Sequence, residues 1–485
     1  MGWMRSMGTL LAAGTMAVAM PAGPRADEVA FPNTEPGRHA REFFQAYDKD
    51  EAAMRAFYTS NVSAKDLEDR PVETRLGVWR RMRGEQGTFT PVRLLAEGAD
   101  FVEILVRGEH GQPLKIRLNC AAEAPHTLLN LRLEPAEEEG GGPPAAPEVS
   151  GPPPDDDQIV HSLSAELERK TAADEFSGAA ILDKGGRTLF GKGYGEASRK
   201  EKRPNAVDTR FNLGSINKIF THVAILQLEQ QGKLKLDDTI DRFLPDYPRG
   251  NASRVTVRML LDHRGGVPDV LESRKLWDDP LKVRTVSDWY ALVRDRDLDF
   301  EPGTRQKYSN GGYVLLGAIV ERVSGEDYYG YVRKHVYGPA GMTDAESDLG
   351  EARPARTAVG YVKELDAGTV RYVEETQRLG RGSPAGGGYA TVADLVAFAN
   401  ALRAGKLLDV AHTRALIGDQ ISLGIAGGSP GVNALLEVSG PYTLVVLSNL
   451  DPPAAEQFAQ TAGRMIRRAS GVPVPAGGGV RVGGR

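Results

Sequence analysis

Phe211 to Phe220, reading FNLGSINKIF, is the stretch on which the rest of the chain turns. After Ser215 the apolar residues Ile216, Ile219, Phe220, Val223 and Leu226 recur at helical spacing and Gly232 supplies a stop, which predicts a buried helix starting near the serine. Lys218 stands three residues on, slightly less than one helical turn, so it shares a face with Ser215 and can reach its hydroxyl. A serine hydroxyl is a weak nucleophile that needs an adjacent base, and a desolvated, neutral lysine can be that base. The helix start also aims free backbone N–H groups at charge developing beside the serine. Ser215 is the one serine followed three later by lysine. Chance alone would supply such a pattern about once or twice in a chain this long, so the pair needs support from elsewhere.

The 485 residues, 41% hydrophobic and 26% charged, exceed one ordinary domain and predict two. A formal charge of −5 gives no basic field, and no nucleic-acid partner is expected. The single cysteine, Cys120, excludes an intramolecular disulfide framework and a zinc site built on paired cysteines. Residues 1–26 carry Arg5, an apolar run from Met7 to Met20 and an Ala17-x-Ala19 pattern, which read as a bacterial-type signal peptide. The mature protein is therefore expected to be secreted or periplasmic, without stable membrane insertion once the signal is removed.

Residues 27–134 read as a small α+β unit. Phe43, Phe44, Tyr47, Met54, Phe57 and Tyr58 place an apolar face on helices, Val72 to Arg83 predicts another helix, and four alternating segments between Thr88 and Leu133 predict strands. His110 and His126 fall in turns. Residues 135–157, rich in Pro, Gly and acid, cannot build a core and read as a linker. Asp155, Asp156 and Asp157 lack the spacing of a calcium loop and fit a helix start or solvated charges. Residues 158–470 form the second unit, with strands expected at both ends and helices between, as one antiparallel sheet closed by the terminal segments. Residues 471–485 read as a flexible tail.

Tyr308-Ser309-Asn310 is the one Tyr-x-Asn of the chain. It follows the Pro302-Gly303 turn and precedes a run with Leu315, Leu316, Ile319 and Val320, a loop-to-helix position from which a phenol can reach a cleft. A phenol there could relay the serine proton to a leaving group, and the Asn310 amide could position a substrate carbonyl or amide.

With these residues in order, the chain from about 160 to 465 resembles the serine β-lactamase-related hydrolases, a family that includes class C β-lactamases, esterases and D,D-peptidases. FNLGSINKIF, GKLKLDDTIDRFLPDYP, VTVRMLLDHRGGVPD, FEPGTRQKYSNGGYVLLGAIVERVSG, AGGGYATVADLVAFANAL and GGSPGVNALLEV carry the likeness. It implies a β-lactamase/transpeptidase-like fold of a helical subdomain on an antiparallel sheet. It also implies an acylated nucleophile at Ser215, its base at Lys218, a proton relay at Tyr308 and substrate contacts at Asn310, Gly427 and Gly428. The oxyanion hole would join the N–H of Ser215 to one from the third-motif strand. The N-terminal unit is similar in layout to cystatin-like or nuclear-transport-factor-like domains. No cofactor or metal is expected, and the expected partner is a small-molecule ester, amide or peptide.

One position departs from the family pattern. Where the family has Lys or His ahead of a small residue and Gly, the stretch Gly424 to Gly431 has Ile425, and the segment leading into it is abbreviated. Isoleucine cannot lower the pKa of a neighbouring lysine or phenol as a cation does, so Lys218 and Tyr308 are expected to be harder to deprotonate. Nor can it hold the carboxylate of a β-lactam or a peptide C-terminus, unless Arg264, Arg305 or Lys307 substitutes. The reading is an exported serine hydrolase forming an acyl-enzyme on Ser215, an esterase or amidase of small acyl or D-amino-acid substrates. The rivals are an impaired relative that binds peptidoglycan fragments or a partner protein, and a chain whose main role lies in the N-terminal unit as a binding domain.

Overall fold

Thr34 and Asp50 accept hydrogen bonds from the backbone N–H groups of Gly37 and Ala53, and these caps start α1 (Glu35–Tyr47) and α2 (Glu51–Asn61). The computed structural model describes residues 29–109, 113–136, 151–347, 355–366, 369–375, 379 and 381–472. The expected signal peptide, His110, residues 137–150 of the expected linker and residues 473–485 of the tail lie outside them. The chain divides into two units, Met1–Glu137 and Glu138–Arg485.

In the first unit α3 (Ala64–Asp69) and α4 (Val72–Gln86) lead to an antiparallel meander of β1 (Phe89–Glu97), β2 (Phe101–Gly108), β3 (Leu114–Cys120) and β4 (Leu128–Pro135). Successive strand side chains point to opposite faces, so Val102, Ile104, Val106, Ile116 and Leu118 bury one face completely. Tyr47 stacks on Phe89 with ring centroids 4.5 Å apart. Cys120 is buried there, and burial pushes its thiol up to about 11, far from the range of a reactive thiolate. His126 sits in the turn between β3 and β4, its Nδ1 3.0 Å from the Ala121 carbonyl.

The second unit begins with α5 (Asp156–Ala172). Asp155 and Gln158 form a capping box at its start, and the next carboxylate, Asp156, accepts from Lys184 at 2.8 Å and from the Tyr442 hydroxyl at 2.7 Å. The acidic triplet is thus a helix start. β5 (Gly178–Lys184) and β6 (Arg187–Tyr194) follow, then α6 (Lys218–Gln230), α7 (Asn310–Ser324) and α8 (Val392–Arg403). The unit closes with β7 (Ser422–Ser429), β8 (Val432–Ser439), β9 (Tyr442–Ser448) and α9 (Ala462–Ser470). The five strands make one antiparallel sheet in the order β7-β8-β9-β5-β6, with Leu444 of β9 opposite Leu182 of β5. The segments from the two ends of the unit therefore meet at the middle of the sheet.

Both faces of this sheet are covered, which explains why β5, β8 and β9 read as nearly unbroken apolar runs. Ala180, Leu182, Leu435 and Leu444 pack against Ile159 and Leu163 of α5 and Ile466 of α9. Ala179, Ile181, Leu436 and Leu447 turn to the helical layer, where Phe220 and Val223 of α6 meet Leu315 and Ile319 of α7. Burying such a side chain contributes roughly 1.5–3 kcal/mol. Among the described residues, no helix is long and apolar enough to cross a membrane.

Strands are not confined to the two ends as the sequence reading had them, since Tyr361–Asp366 and Thr369–Glu374 form a separate hairpin. The abbreviated approach to the third motif also keeps its strand. β7 pairs with β8 along its whole length, from Ser422 opposite Ser439 to Ser429 opposite Val432. Its sequence SLGIAGGS has weak strand propensity, and pairing with the buried β8 overrides that preference.

Candidate active site

The Ser215 segment is held by the chain around Gly388 and by β7. Phe211 and Asn212 pair with Tyr389 and Ala390, and Leu213 N–H donates to Gly388 O at 2.7 Å. Gly214 takes φ +49, its N–H donating to Asn212 Oδ1 at 2.8 Å, and the turn Gly214–Asn217 then feeds α6. The edge strand β7 passes so close that a β-carbon on Gly427 would lie 2.1 Å from Leu213 O and 2.9 Å from Ser215 N. One on Gly214 would lie 2.9 Å from Gly428 N. Glycine is required at both positions for the strand and the turn to lie backbone to backbone. This close pass brings the N–H groups of Ser215 and Gly428 onto adjacent segments, as an oxyanion site requires.

Ser215, Lys218, Tyr308 and Asn310, found in the sequence from two separate motifs, meet in one cluster. Ser215 Oγ is 2.5 Å from the Tyr308 hydroxyl and 3.2 Å from Lys218 Nζ. Lys218 Nζ also donates to Asn310 Oδ1 at 2.7 Å and to the main-chain carbonyl of Ala385. The Asn310 amide is turned by Asp269, whose carboxylate accepts from Asn310 Nδ2 at 2.9 Å and from Asn310 N at 3.2 Å. A carboxylate accepts and does not donate, so Oδ1 is the atom left to face the lysine. Asp269 and Ala385 have no role in the sequence reading, although both lie in or beside the quoted family segments.

The electrostatics correct one expectation and bear out another. Lys218 is 4% exposed, and burial lowers it to about 7 against an opposing pull from Asp269. Removing water from the ammonium does what the absent cation was expected to do, so the lysine is not hard to deprotonate. Tyr308 moves the other way: desolvation of its hydroxyl raises it to about 12, with the Ser215 hydrogen bond opposing. Tyr308 as a residue is 38% exposed, and Lys218 Nζ lies 4.6 Å from its ring centroid. The cluster thus joins a lysine lowered toward neutral pH with a tyrosine raised away from it.

Acceptor count then fixes where the lone pair of the neutral lysine points. Asn310 Oδ1 and Ala385 O are carbonyl oxygens that only accept, so they take both N–H bonds of a neutral amine. What remains on Nζ is the lone pair, directed at Ser215 Oγ. Such an arrangement can withdraw the serine proton without rearrangement.

Ile425 shares a strand face with Gly427, two residues on, and is buried at 4% exposure among apolar neighbours. None of the three proposed substitutes for the missing cation is directed at Ser215. Arg264 donates to Gly303 O, Lys307 Nζ pairs with Asp299 at 2.6 Å, and the Arg305 guanidinium lies over the Phe300 ring. Among the described residues, Lys218 is the cation in contact with Ser215, Tyr308 and Asn310.

Comparison with known proteins covers the same part of the chain. The Beta-lactamase family model matches residues 163–427, a span that holds Ser215, Lys218, Tyr308, Asn310 and the start of the β7 glycine pair. Penicillin-binding protein 4* of Bacillus subtilis is 33% identical over 208 residues, 42% of this chain and 46% of that protein. The chain thus spans about half the length of the curated relatives it matches. The crystal structure of a penicillin binding protein from Bacillus halodurans is 30% identical, covering 61% of this chain and 98% of that one, with a TM-score of 0.56. A D-amino acid amidase from Ochrobactrum anthropi is 25% identical, covering 65% and 98%, with a TM-score of 0.53. A family match over more than half the sequence, a solved relative covered almost end to end and the shared sheet architecture lead to one statement: the chain belongs to the beta-lactamase family of serine hydrolases.

Proposed function

We propose that the protein is an exported serine hydrolase that forms an acyl-enzyme on Ser215 and cleaves esters or amides of small acyl groups, D-amino-acid derivatives among them. The observation that carries this reading is the company of Lys218 Nζ, two carbonyl acceptors and the Ser215 hydroxyl, in a pocket that lowers the lysine to about 7. Ser215 Oγ adds to the acyl carbon as its proton passes to Lys218, and the N–H groups of Ser215 and Gly428 receive the oxyanion. Collapse breaks the bond to the leaving group, which takes a proton from Tyr308, and the proton held on Lys218 replaces it. Water then attacks the acyl-enzyme by the reverse path, releasing the acid and restoring Ser215. Asn310 serves as the bridge that orients Lys218, its Oδ1 toward the amine and its Nδ2 held by Asp269.

Substrate chemistry follows from Ile425. With isoleucine at the third-motif position on β7, a carboxylate on the leaving side lacks the partner that the family pattern supplies there, which favours uncharged esters and amides over β-lactams and peptide C-termini. The similarity to a D-amino acid amidase is in keeping with this. The apolar run of residues 7–20 supports export.

Labelling with a fluorophosphonate followed by peptide mapping tests the proposal. The expected result is an adduct on Ser215 whose rate of formation rises through about pH 7, as Lys218 loses its proton, and is abolished in Ser215→Ala. Ile425 also favours a second reading, a binder of cell-wall fragments or of a partner protein. No adduct at any pH, with ligand binding unchanged in Ser215→Ala, would establish that reading instead.

A further inference from the structure

Tyr308 lies in a stretch without regular structure, Arg305 to Ser309, and its hydroxyl must nevertheless meet Ser215 Oγ at 2.5 Å. The contacts that fix it converge on one residue outside the reacting cluster. His263 O accepts from the N–H of Lys307 at 2.9 Å, and His263 Nδ1 accepts from the N–H of Ser309 at 3.2 Å. The residues before and after Tyr308 are therefore tied to the same histidine. The imidazole also lies against the Tyr308 ring, with centroids 4.6 Å apart and planes at 34°, and against Tyr313 of α7 on a 5.2 Å contact. His263 itself is 4% exposed and adopts φ +56, a left-handed conformation that is uncommon for a residue with a β-carbon.

We infer that His263 is the positioning residue for Tyr308: it clamps the backbone on both sides of the tyrosine, braces its ring, and so sets the hydroxyl on Ser215 for proton delivery to the leaving group. This rests on the relay role proposed for Tyr308. The imidazole acts as a neutral acceptor, since burial and the nearby Lys218 lower it to about 3 and leave Nδ1 free to accept from Ser309 across the working pH range. Its Nε2 has no hydrogen-bond partner among the described residues, so the ring is held by stacking and by the Nδ1 contact. Backbone strain kept at one residue that touches no reacting atom is understandable if the geometry it enforces is used by the reaction.

The test exploits the dependence of proton delivery on the leaving group. p-Nitrophenol departs as a stable anion and needs little help, whereas ethanol must be protonated as it leaves. His263→Asn retains a short acceptor and suits a left-handed residue but removes the ring, while His263→Phe retains a ring and removes the acceptor. Both variants, Tyr308→Phe and the His263→Asn/Tyr308→Phe double variant are assayed for kcat/KM on p-nitrophenyl butyrate and ethyl butyrate, with thermal unfolding measured alongside. The expected result is a loss of about 100-fold on the ethyl ester and only a few-fold on the p-nitrophenyl ester in each single variant, with no further loss in the double variant. Equal losses on the two esters, or losses that multiply in the double variant, would overturn the inference and leave His263 a core residue. If Tyr308→Phe itself shows no leaving-group dependence, the relay reading fails, and the inference with it. If Tyr308→Phe shows it and the His263 variants do not, the inference alone fails.

Discussion

Lys218, buried, and Arg467, partly buried, are cations of the same unit on opposite faces of the same sheet, and they are kept in different company. Arg467, on α9, meets the carboxylate of Glu437 directly beneath β8, and its Nη2 donates to Ala459 O at 3.0 Å. Among the described residues Lys218, on α6, meets neutral oxygens, and the Asn310 amide stands between it and the Asp269 carboxylate. A buried charge with a carboxylate against it stays charged and serves packing. A buried charge denied one gives up its proton and becomes a base. Two things separate the outcomes: a guanidinium keeps its proton in any company, and at Lys218 the Asn310 amide stands between the amine and the Asp269 carboxylate. The cost falls on stability: the unfolded chain binds a proton at Lys218 that the folded chain releases, so this burial opposes folding at neutral pH and does so less as pH rises above about 7.

Making the lysine permanently charged breaks the comparison most severely. Lys218→Arg installs a guanidinium that does not deprotonate in proteins, and the rate of Ser215 labelling is expected to fall by about 10⁴-fold, the upper end of what a general base contributes. Labelling within ten-fold of the parent would remove Lys218 from the role of base. A gentler change gives Lys218 the carboxylate that Arg467 enjoys. In the paired variant Asn310→Asp with Asp269→Asn the bridge is kept and its charge reversed, so the carboxylate now faces Nζ. The rise of kcat/KM with pH should move up from about 7 by about one to three pH units, with activity recovered at alkaline pH. An unmoved profile would show that burial alone, and not the choice of partner, tunes the lysine. The smallest effect on chemistry is expected from the other face. Arg467→Met strands Glu437, already raised by burial, and should cost about 3–5 kcal/mol in urea unfolding while labelling of the folded protein proceeds at the parent rate.

The sequence carried the fold and half of the site for identifiable reasons. Ser215 and Lys218 lie on one helical turn, so their proximity is local, and the apolar runs of β5, β8 and β9 are long enough to read as strands. Asn310 was legible because it sits at the start of a strongly apolar helix, two residues from Tyr308. What was not legible depends on backbone atoms and burial. Ala385 contributes a carbonyl, which any residue type could supply, from a loop far along the chain. His263 acts through a main-chain oxygen and a left-handed φ that no spacing encodes. The state of Lys218 was misjudged because a missing cation at Ile425 is visible in a sequence, whereas the depth at which a lysine is enclosed is not.

The seam between β9 and β5 joins the two ends of the unit. Leu444 lies opposite Leu182 across it, and β7, the edge strand against the Ser215 turn, is tied to this seam through β8 and β9. A chain emerging from synthesis can form α6, with its serine and lysine, long before the segment carrying Gly427 and Gly428 exists to face them. Pairing of such distant segments is slow, because the chain loses much of its freedom before the contacts compensate. The glycine side of the candidate site therefore cannot exist on a partly made chain, and the site depends on the last strands to be synthesised.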